Sequence, residues 1–310
     1  MKVLITGVAG FIGSHLAEGC LQQGWQVWGI DNFSTGRFEN LGNFFSQIQF
    51  IEGNICNIQE YTFADGNLPI QKFDVIFHLA ATPRVQYSVE HPLETNQNNI
   101  EGTLKMLEFA CKKANRFVFA SSSSIYGGKT CELMEGLCPH PKSPYALQKL
   151  VGEEYCRLYN EIYGLDTISL RFFNVYGRRM NPKGDYACLI PRHIALAKKN
   201  CNLPVYGLGA QKRSFTYVED VVQALIAAGE SKKRFFGEII NIAYPECWSV
   251  NEVDKIIIAA TKSKSKIKYL PARKGDPAMS LANTEKAERI LNWKAKISLP
   301  DGIEKIKEIY

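Results

Sequence analysis

Tyr145 and Lys149 stand four residues apart in Ser143-Pro144-Tyr145-Ala146-Leu147-Gln148-Lys149, and a run of serines, Ser121 to Ser124, lies upstream at the end of an apolar stretch. Residues four apart on a helix share a face. A free tyrosine, with a pKa of about 10, is a poor base at neutral pH. A neighbouring ammonium favours the phenolate and lowers that value, so the spacing predicts an activated phenol. A serine hydroxyl facing both groups completes a proton-transfer site. Taken alone, the pair is better read as part of an ordinary helix, since tyrosine and lysine at this spacing are common; the start of the chain supplies the context.

Residues 2–6 form a short β-branched apolar run read as a buried strand, followed at once by Gly7-Val8-Ala9-Gly10-Phe11-Ile12-Gly13. Residues 14–21 read as a helix, Gly24 ends it, and residues 25–30 make a second strand with Asp31 at its tip. Strand, glycine turn, helix, strand and acid in this order is the dinucleotide-binding arrangement. The glycines permit a tight turn and close approach of a pyrophosphate, and the helix N-terminus offers N–H donors and a partial positive charge. Asp31 can accept hydrogen bonds from both adenosine ribose hydroxyls and would repel a 2′-phosphate, which favours NAD over NADP.

A chain of 310 residues with 45% hydrophobic content can fill a sizeable core as one large or two modest domains. It contains no run of 18 apolar residues, and its N-terminus reads as a strand rather than a signal peptide, so no membrane segment is expected. Nine cysteines without paired spacing suggest reduced thiols in a cytoplasmic protein, with neither disulfides nor a metal site. The 37 basic against 31 acidic residues are a mild excess, compatible with an anionic substrate or a solvated surface. The basic stretch 262–268 reads as a loop face, and no nucleic-acid partner is expected.

Strands are expected at residues 49–52, 74–80, 116–120 and 167–171, and helices at 95–114, 145–163, 186–199, 218–231, 250–262 and 283–291. Alternating strands and helices imply an α/β fold with a Rossmann-type, doubly wound parallel sheet, in which ligands sit beyond the carboxyl ends of the strands. The motifs fall at such ends. Residues 1–170 are read as the cofactor-binding domain. Residues 171–310 are read as a smaller α/β substrate-binding domain interleaved with it.

The glycine spacing G-x-x-G-x-x-G, the Tyr145-x-x-x-Lys149 pair and the serine run together resemble the extended short-chain dehydrogenase/reductase superfamily, and within it the NAD-dependent nucleotide-sugar epimerases. The resemblance runs through nearly the whole chain. It implies that Gly7, Gly10, Phe11, Ile12, Gly13, Asp31, Asn32, Asn54, Ile55, Leu79, Ala80, Ala81 and Asn99 serve the cofactor. Asn54 stands where the family usually has an aspartate, and Asn99 matches a helix asparagine that fixes the active-site loops. His78, beside Leu79, reads as a structural histidine. Counting back from Ile125-Tyr126-Gly127, the catalytic serine falls on Ser122, with four serines in a row leaving the choice open by a residue. Tyr145 is then the acid/base and Lys149 its partner, which also binds the nicotinamide ribose. Ser123, Ser124, Asn174, Val205, Tyr206, Arg213, Arg273, Asp276 and Ser280 are implied substrate contacts. Ser214 replaces a common aspartate beside Arg213. Arginine suits a diphosphate because its planar fork donates twice.

The implied reaction is 4-epimerisation of a UDP-hexose: hydride passes from sugar C4 to NAD while Tyr145 takes the hydroxyl proton, and a 4-keto sugar turns and is reduced on its other face. Dehydratases and decarboxylases of the superfamily carry acids where Ser123 and Ser124 stand, so those reactions are disfavoured. A small Ser280, at a position that gates the pocket beside the sugar C2 group, implies that UDP-GlcNAc/GalNAc is accepted beside UDP-Glc/Gal. Arg84-Val85-Gln86-Tyr87-Ser88 resembles uronate epimerases, which keeps a UDP-glucuronate 4-epimerase as an alternative. A non-catalytic NAD-sensing module is the alternative of another class. By analogy of fold, helices 95–114 and 145–163 imply a homodimer.

Overall fold

The computed structural model describes residues 1–60, 72–129, 131–182, 188–272 and 279–310. Its centre is a seven-stranded sheet. Strands β1 (Lys2–Thr6), β2 (Gln26–Asp31), β3 (Ile48–Glu52), β4 (Phe73–His78), β5 (Ala114–Ser122) and β6 (Asp166–Phe172) are joined by the strand Glu238–Ile242. The spatial order runs from Glu238–Ile242 through β6, β5, β4, β1 and β2 to β3, and every pairing is parallel.

Side chains of a strand alternate between faces, and the two faces carry different cores. Val3, Ile5, Val75 and Phe77 pack with Leu16 and Cys20 of helix α1 (Phe11–Gln22) and with Val221 and Leu225 of the helix Val218–Glu230. Leu4, Ile76, Phe117 and Phe119 pack with Met106 and Leu107 of the helix Gly102–Lys113 and with Cys156 and Tyr159 of the helix Pro144–Tyr163. With both faces covered, the strands read as continuous apolar runs. A separate core, including Tyr176, Ile194, Leu203, Tyr217, Val253 and Ile303, builds a second lobe.

The structure differs from the sequence reading in several places. The strand Glu238–Ile242 was not expected; it lies beside β6 with Ile240 opposite Leu170. The expected helix 95–114 is a run of three pieces, Pro92–Asn96, a π-helical turn Gln97–Glu101, and Gly102–Lys113. The expected strand through Ala80 stops at His78. Helix α1 begins already at Phe11, and a closing helix spans Leu299–Ile306.

Candidate active site

The order of the sheet sets the site. From β1 the chain passes to β2 on one side, and β4 lies on the other, so the carboxyl ends of β1 and β4 flank a switch point. Register places Thr6 opposite both Ile30 and His78, which brings Gly7, Asp31 and Leu79–Ala81 to one edge. Gly7 has φ 72, and a Cβ there would lie 2.9 Å from the Ala80 nitrogen. A Cβ on Gly13 would fall 2.0 Å from the Gly7 carbonyl oxygen, so only glycine lets α1 pack this close to the turn. Gly10 caps α1 without any side-chain hydrogen bond, and no acidic residue stands in the first turn. The helix therefore presents N–H donors and its positive end to an anion. Asp31 accepts the Ala9 N–H at 2.9 Å and the Phe33 N–H at 2.8 Å. Burial pushes its pKa up, while backbone N–H groups around it pull it down. Each carboxylate oxygen keeps a lone pair for a ribose hydroxyl. An uncapped helix end, glycines at the closest approaches and an acid at the tip of β2 fit a dinucleotide.

Other residues expected at the cofactor are placed less uniformly. Ile55 is buried in the core, its side chain against Gly102. Asn54 accepts the Cys56 N–H at 2.9 Å, and exposed Asn32 accepts the Ser34 N–H at 3.1 Å. Asn99 is buried inside the π-helical turn. Its oxygen accepts the Thr82 N–H at 2.7 Å, and its nitrogen donates to the Thr82 carbonyl at 3.1 Å and to Gln148 Oε1 at 2.8 Å. Asn99 thus fixes the loop after Ala81 from behind.

Ser143 caps the helix Pro144–Tyr163 by accepting the Ala146 N–H at 3.2 Å, and Pro144 occupies the first turn. Tyr145 is therefore set at the very start of the helix, its own N–H donating to Ser88 Oγ at 3.0 Å. The Tyr145 hydroxyl faces Ser122, whose side chain favours the phenolate. Ser122 also accepts from the Ser124 N–H at 3.2 Å and lies 3.0 Å from Ser124 Oγ. Ser121 points elsewhere and donates to buried Glu153 at 2.5 Å. Glu153 in turn holds Arg171 through two bonds of 2.8 and 2.7 Å, a buried pair beneath the site.

The phenol departs from the sequence expectation. Burial pushes Tyr145 up to about 12, against the lowering effect of the Ser122 side chain. Lys149 does not offset this: its Nζ donates to the Ala120 carbonyl at 2.7 Å and lies 4.8 Å from the centre of the Phe119 ring and 5.9 Å from that of Tyr145. Burial draws Lys149 down to about 8, with Cys156 and Glu153 opposing. For both groups the loss of water outweighs the partners that favour the charged form.

His78 is structural. Thr103 Oγ donates to the Asn99 carbonyl at 2.7 Å, so it accepts from His78 Nε2 at 3.0 Å. Nδ1 then accepts from Thr6 Oγ at 2.9 Å, and Thr6 Oγ accepts the Ala80 N–H at 3.1 Å. The neutral Nε2–H tautomer satisfies the whole chain, and burial lowers the pKa to about 3.

Register puts Ser122 opposite Phe172, so Asn174 emerges two residues beyond, next to the serine run. Asn174 has φ 34, and its amide donates to the Ser214 carbonyl at 2.8 Å. A cavity of about 360 Å³ opens there, lined by Asn174, Val205, Tyr206 and Arg213 with Cys188, Gln211, Phe215 and Val250 among others. Ser280 pairs with Arg213 across two short strands. Ser214 is fully buried, so the missing aspartate of that loop is replaced by a packing residue. Ser123 follows Ser122 in a short 3₁₀ turn. Arg273 and Asp276 lie outside the described residues. Among the described residues no cluster of metal-ligating side chains occurs, and no helix is long and apolar enough to cross a membrane.

Sequence reasoning missed Cys188, Gln211 and Phe215 in the cavity and the Glu153–Arg171 pair. A glutamate four residues after Lys149 on the same helix face was the available signal for the pair.

Residues 3–243 match the model of the NAD dependent epimerase/dehydratase family. The chain is similar to the UDP-glucose 4-epimerase of Thermotoga maritima, solved with UDP-glucose, at 32% identity and a TM-score of 0.91, covering 99% of this chain and 98% of that one. It is equally similar to the UDP-N-acetylglucosamine 4-epimerase of Methanobrevibacter ruminantium M1, at 32% and 0.91 over 99% and 97%. The UDP-glucuronic acid 4-epimerase of Bacillus cereus, solved with UDP-glucuronic acid and NAD, matches at 34% and 0.87 over the full length of both chains.

Proposed function

The chain belongs to the NAD-dependent epimerase/dehydratase family, and on that premise we propose that it is a UDP-hexose 4-epimerase that works through a 4-keto sugar. The observation that carries the reading is Tyr145 facing Ser122 with Lys149 beneath them, at the same sheet edge as the cavity holding Asn174 and Arg213. Residues 7–13, Asp31, residues 79–81 and Lys149 would hold NAD, which when bound supplies a hydride acceptor and donor and a positive charge. Tyr145 takes the proton of the sugar 4-hydroxyl and later returns it. Ser122 orients the phenol and bridges it to that hydroxyl. Because the unliganded phenol sits near 12, it is not a standing phenolate; the positive charge of bound NAD would favour loss of its own proton to solvent, after which the phenolate can take the proton of the sugar 4-hydroxyl.

Residues 1–170 serve mainly the cofactor and 171–310 the nucleotide sugar, with the segment 218–242 returning to the sheet. Arg213 takes the diphosphate, together with Arg273, and Asp276 the nucleotide ribose. Val205 and Tyr206 flank the uracil. Ser280, opposite Arg213, leaves room for an N-acetyl group, so UDP-GlcNAc/GalNAc and UDP-Glc/Gal are both substrates. Leu147 and Ile162, on one side of the Tyr145 helix, are 50 and 65% exposed, which suits a homodimer through this face. Nine free cysteines suit the cytoplasm.

Purified protein offered UDP-Glc, UDP-GlcNAc and UDP-GlcA separately, with products identified by NMR, tests the reading. Epimerisation at C4 that disappears in Tyr145→Phe while NAD stays bound is the expected result. No turnover on any of the three sinks it. Ser280→Tyr should remove N-acetyl activity selectively; equal loss on all substrates refutes the gate.

A further inference from the structure

Behind the glycine turn, residues 177–180 form a loop that the chemistry does not use. The Tyr310 hydroxyl closes it: it donates to the Gly177 carbonyl at 2.6 Å and accepts the Met180 N–H at 3.0 Å. One phenol therefore holds both ends of the turn. Within it Arg179 adopts φ 64, a conformation unfavourable for a residue with a Cβ and kept only when its surroundings enforce it. That conformation sends the guanidinium across to α1, where it meets Glu18 at 2.6 Å and Ser14 Oγ at 3.5 Å. It also lies 5.4 Å from the centre of the Phe44 ring, and the Arg179 carbonyl accepts from Arg37 at 3.3 Å.

These partners belong to the two walls of the dinucleotide cradle. Ser14 and Glu18 stand on the helix that Gly10 caps. Arg37 and Phe44 belong to the segment after Asp31, which is laid across the glycine turn by the Arg37 N–H and Asn40 Nδ2 bonds to the Ala9 carbonyl, 3.0 and 2.8 Å. Gly177 fits the turn tightly against the second lobe and α1: a Cβ there would meet Val218 at 2.4 Å and the Phe11 ring at 3.7 Å.

We propose that Tyr310 and Arg179 form a clasp by which the second lobe ties both walls of the cradle together and slows release of NAD. The inference rests on the family's use of NAD and is independent of which sugar is turned over. A cofactor that is reduced and reoxidised within each cycle gains from staying bound, and a tie outside the reacting groups achieves this without altering them.

The test is cofactor retention, measured as bound NAD per chain after gel filtration and as the rate of NAD release on dilution. Tyr310→Phe deletes only the hydroxyl, and Arg179→Gln deletes the charge. Each should speed release about tenfold, equivalent to about 1.4 kcal/mol. Glu18→Gln removes the ion pair from the other side without touching the turn and should behave as Arg179→Gln does. The double variant Tyr310→Phe/Arg179→Gln should release NAD no faster than Arg179→Gln alone, because the phenol acts only through the turn. Release as slow as wild type in the Arg179 and Glu18 variants overturns the clasp. So does a double variant whose effect is the product of the two single ones. Failure of every UDP-sugar to turn over would sink the epimerase reading and leave these release rates untouched.

Discussion

Replacing Lys149 by methionine removes a buried ammonium and keeps most of the side-chain volume. Lys149 titrates at about 8 in the folded protein against the ordinary 10.5, chiefly because burial disfavours the charged form. Its folded pKa lies below its unfolded one, so between about pH 8 and 10.5 the folded state binds fewer protons than the unfolded state. Stability contributed by this residue therefore rises with pH across that window, and the full deficit is present below about 8. At about 1.36 kcal/mol per pH unit, the gap amounts to about 3 kcal/mol. Methionine leaves the Ala120 carbonyl without its Nζ partner, an offset of about 1–3 kcal/mol that does not vary with pH. Urea unfolding of both proteins at pH 7, 8, 9 and 10 should show wild type gaining on Lys149→Met by a few kcal/mol. Background titrations are common to both and cancel in the difference. A difference that stays flat, or falls, from pH 7 to 10 refutes the account. The same titration should appear in turnover as an alkaline limb of kcat/KM near pH 8, since that ratio reports the free enzyme.

Three further outcomes are expected. Gly152→Ala places a Cβ 2.4 Å from Phe119 Cζ in the core beneath Lys149; calorimetry should show a loss of about 1–3 kcal/mol, and kcat should fall although the Tyr145 and Lys149 side chains are intact. Arg116 bonds Asp166 at 2.8 Å and the carbonyls of Ala228, Ser231 and Lys233 at the end of the helix Val218–Glu230, so Arg116→Ala should destabilise by about 3–5 kcal/mol in denaturant titrations. Cys188 lines the cavity beside Asn174, where burial raises its thiol pKa against the pull of Arg84; iodoacetamide at alkaline pH should inactivate the enzyme, UDP should protect it, and Cys188→Ser should be insensitive to the reagent.

The central strands β1, β4 and β5 were legible because they are buried on both faces, and glycine after β1 and serine at the end of β5 mark two of the turns. The strand Glu238–Ile242 was equally apolar, but it follows the charged run 230–234 and a positive-φ Phe236, so its place beside β6 depended on packing that no local period records. The π-helical turn at 97–101 was invisible for the same reason: it carries Asn99, whose partner Thr82 lies 17 residues away. The Tyr145–Lys149 spacing correctly predicted one helix face, whereas the direction of the tyrosine's pKa was set by the depth of burial, which spacing does not encode. The cavity residues Asn174 and Arg213 could be named from motifs, but Cys188 and Phe215 carry no motif and reach the cavity only because the second lobe folds over it.

The return of the strand Glu238–Ile242 to the sheet has a consequence for how this chain can be divided. All seven residues of β6 are buried, and their outer backbone groups are paired by a strand that arrives more than sixty residues later. The helix Leu299–Ile306 finishes in the second lobe, after residues 287–295 have packed on the sheet. A fragment cut after residue 170 would end in an unprotected, apolar edge strand with α1 stripped of the helix Val218–Glu230. Such an edge is a template for other chains. The two lobes are thus stitched rather than hinged. Attempts to transplant residues 1–170 onto a different second lobe should yield insoluble aggregates unless residues 218–242 travel with them.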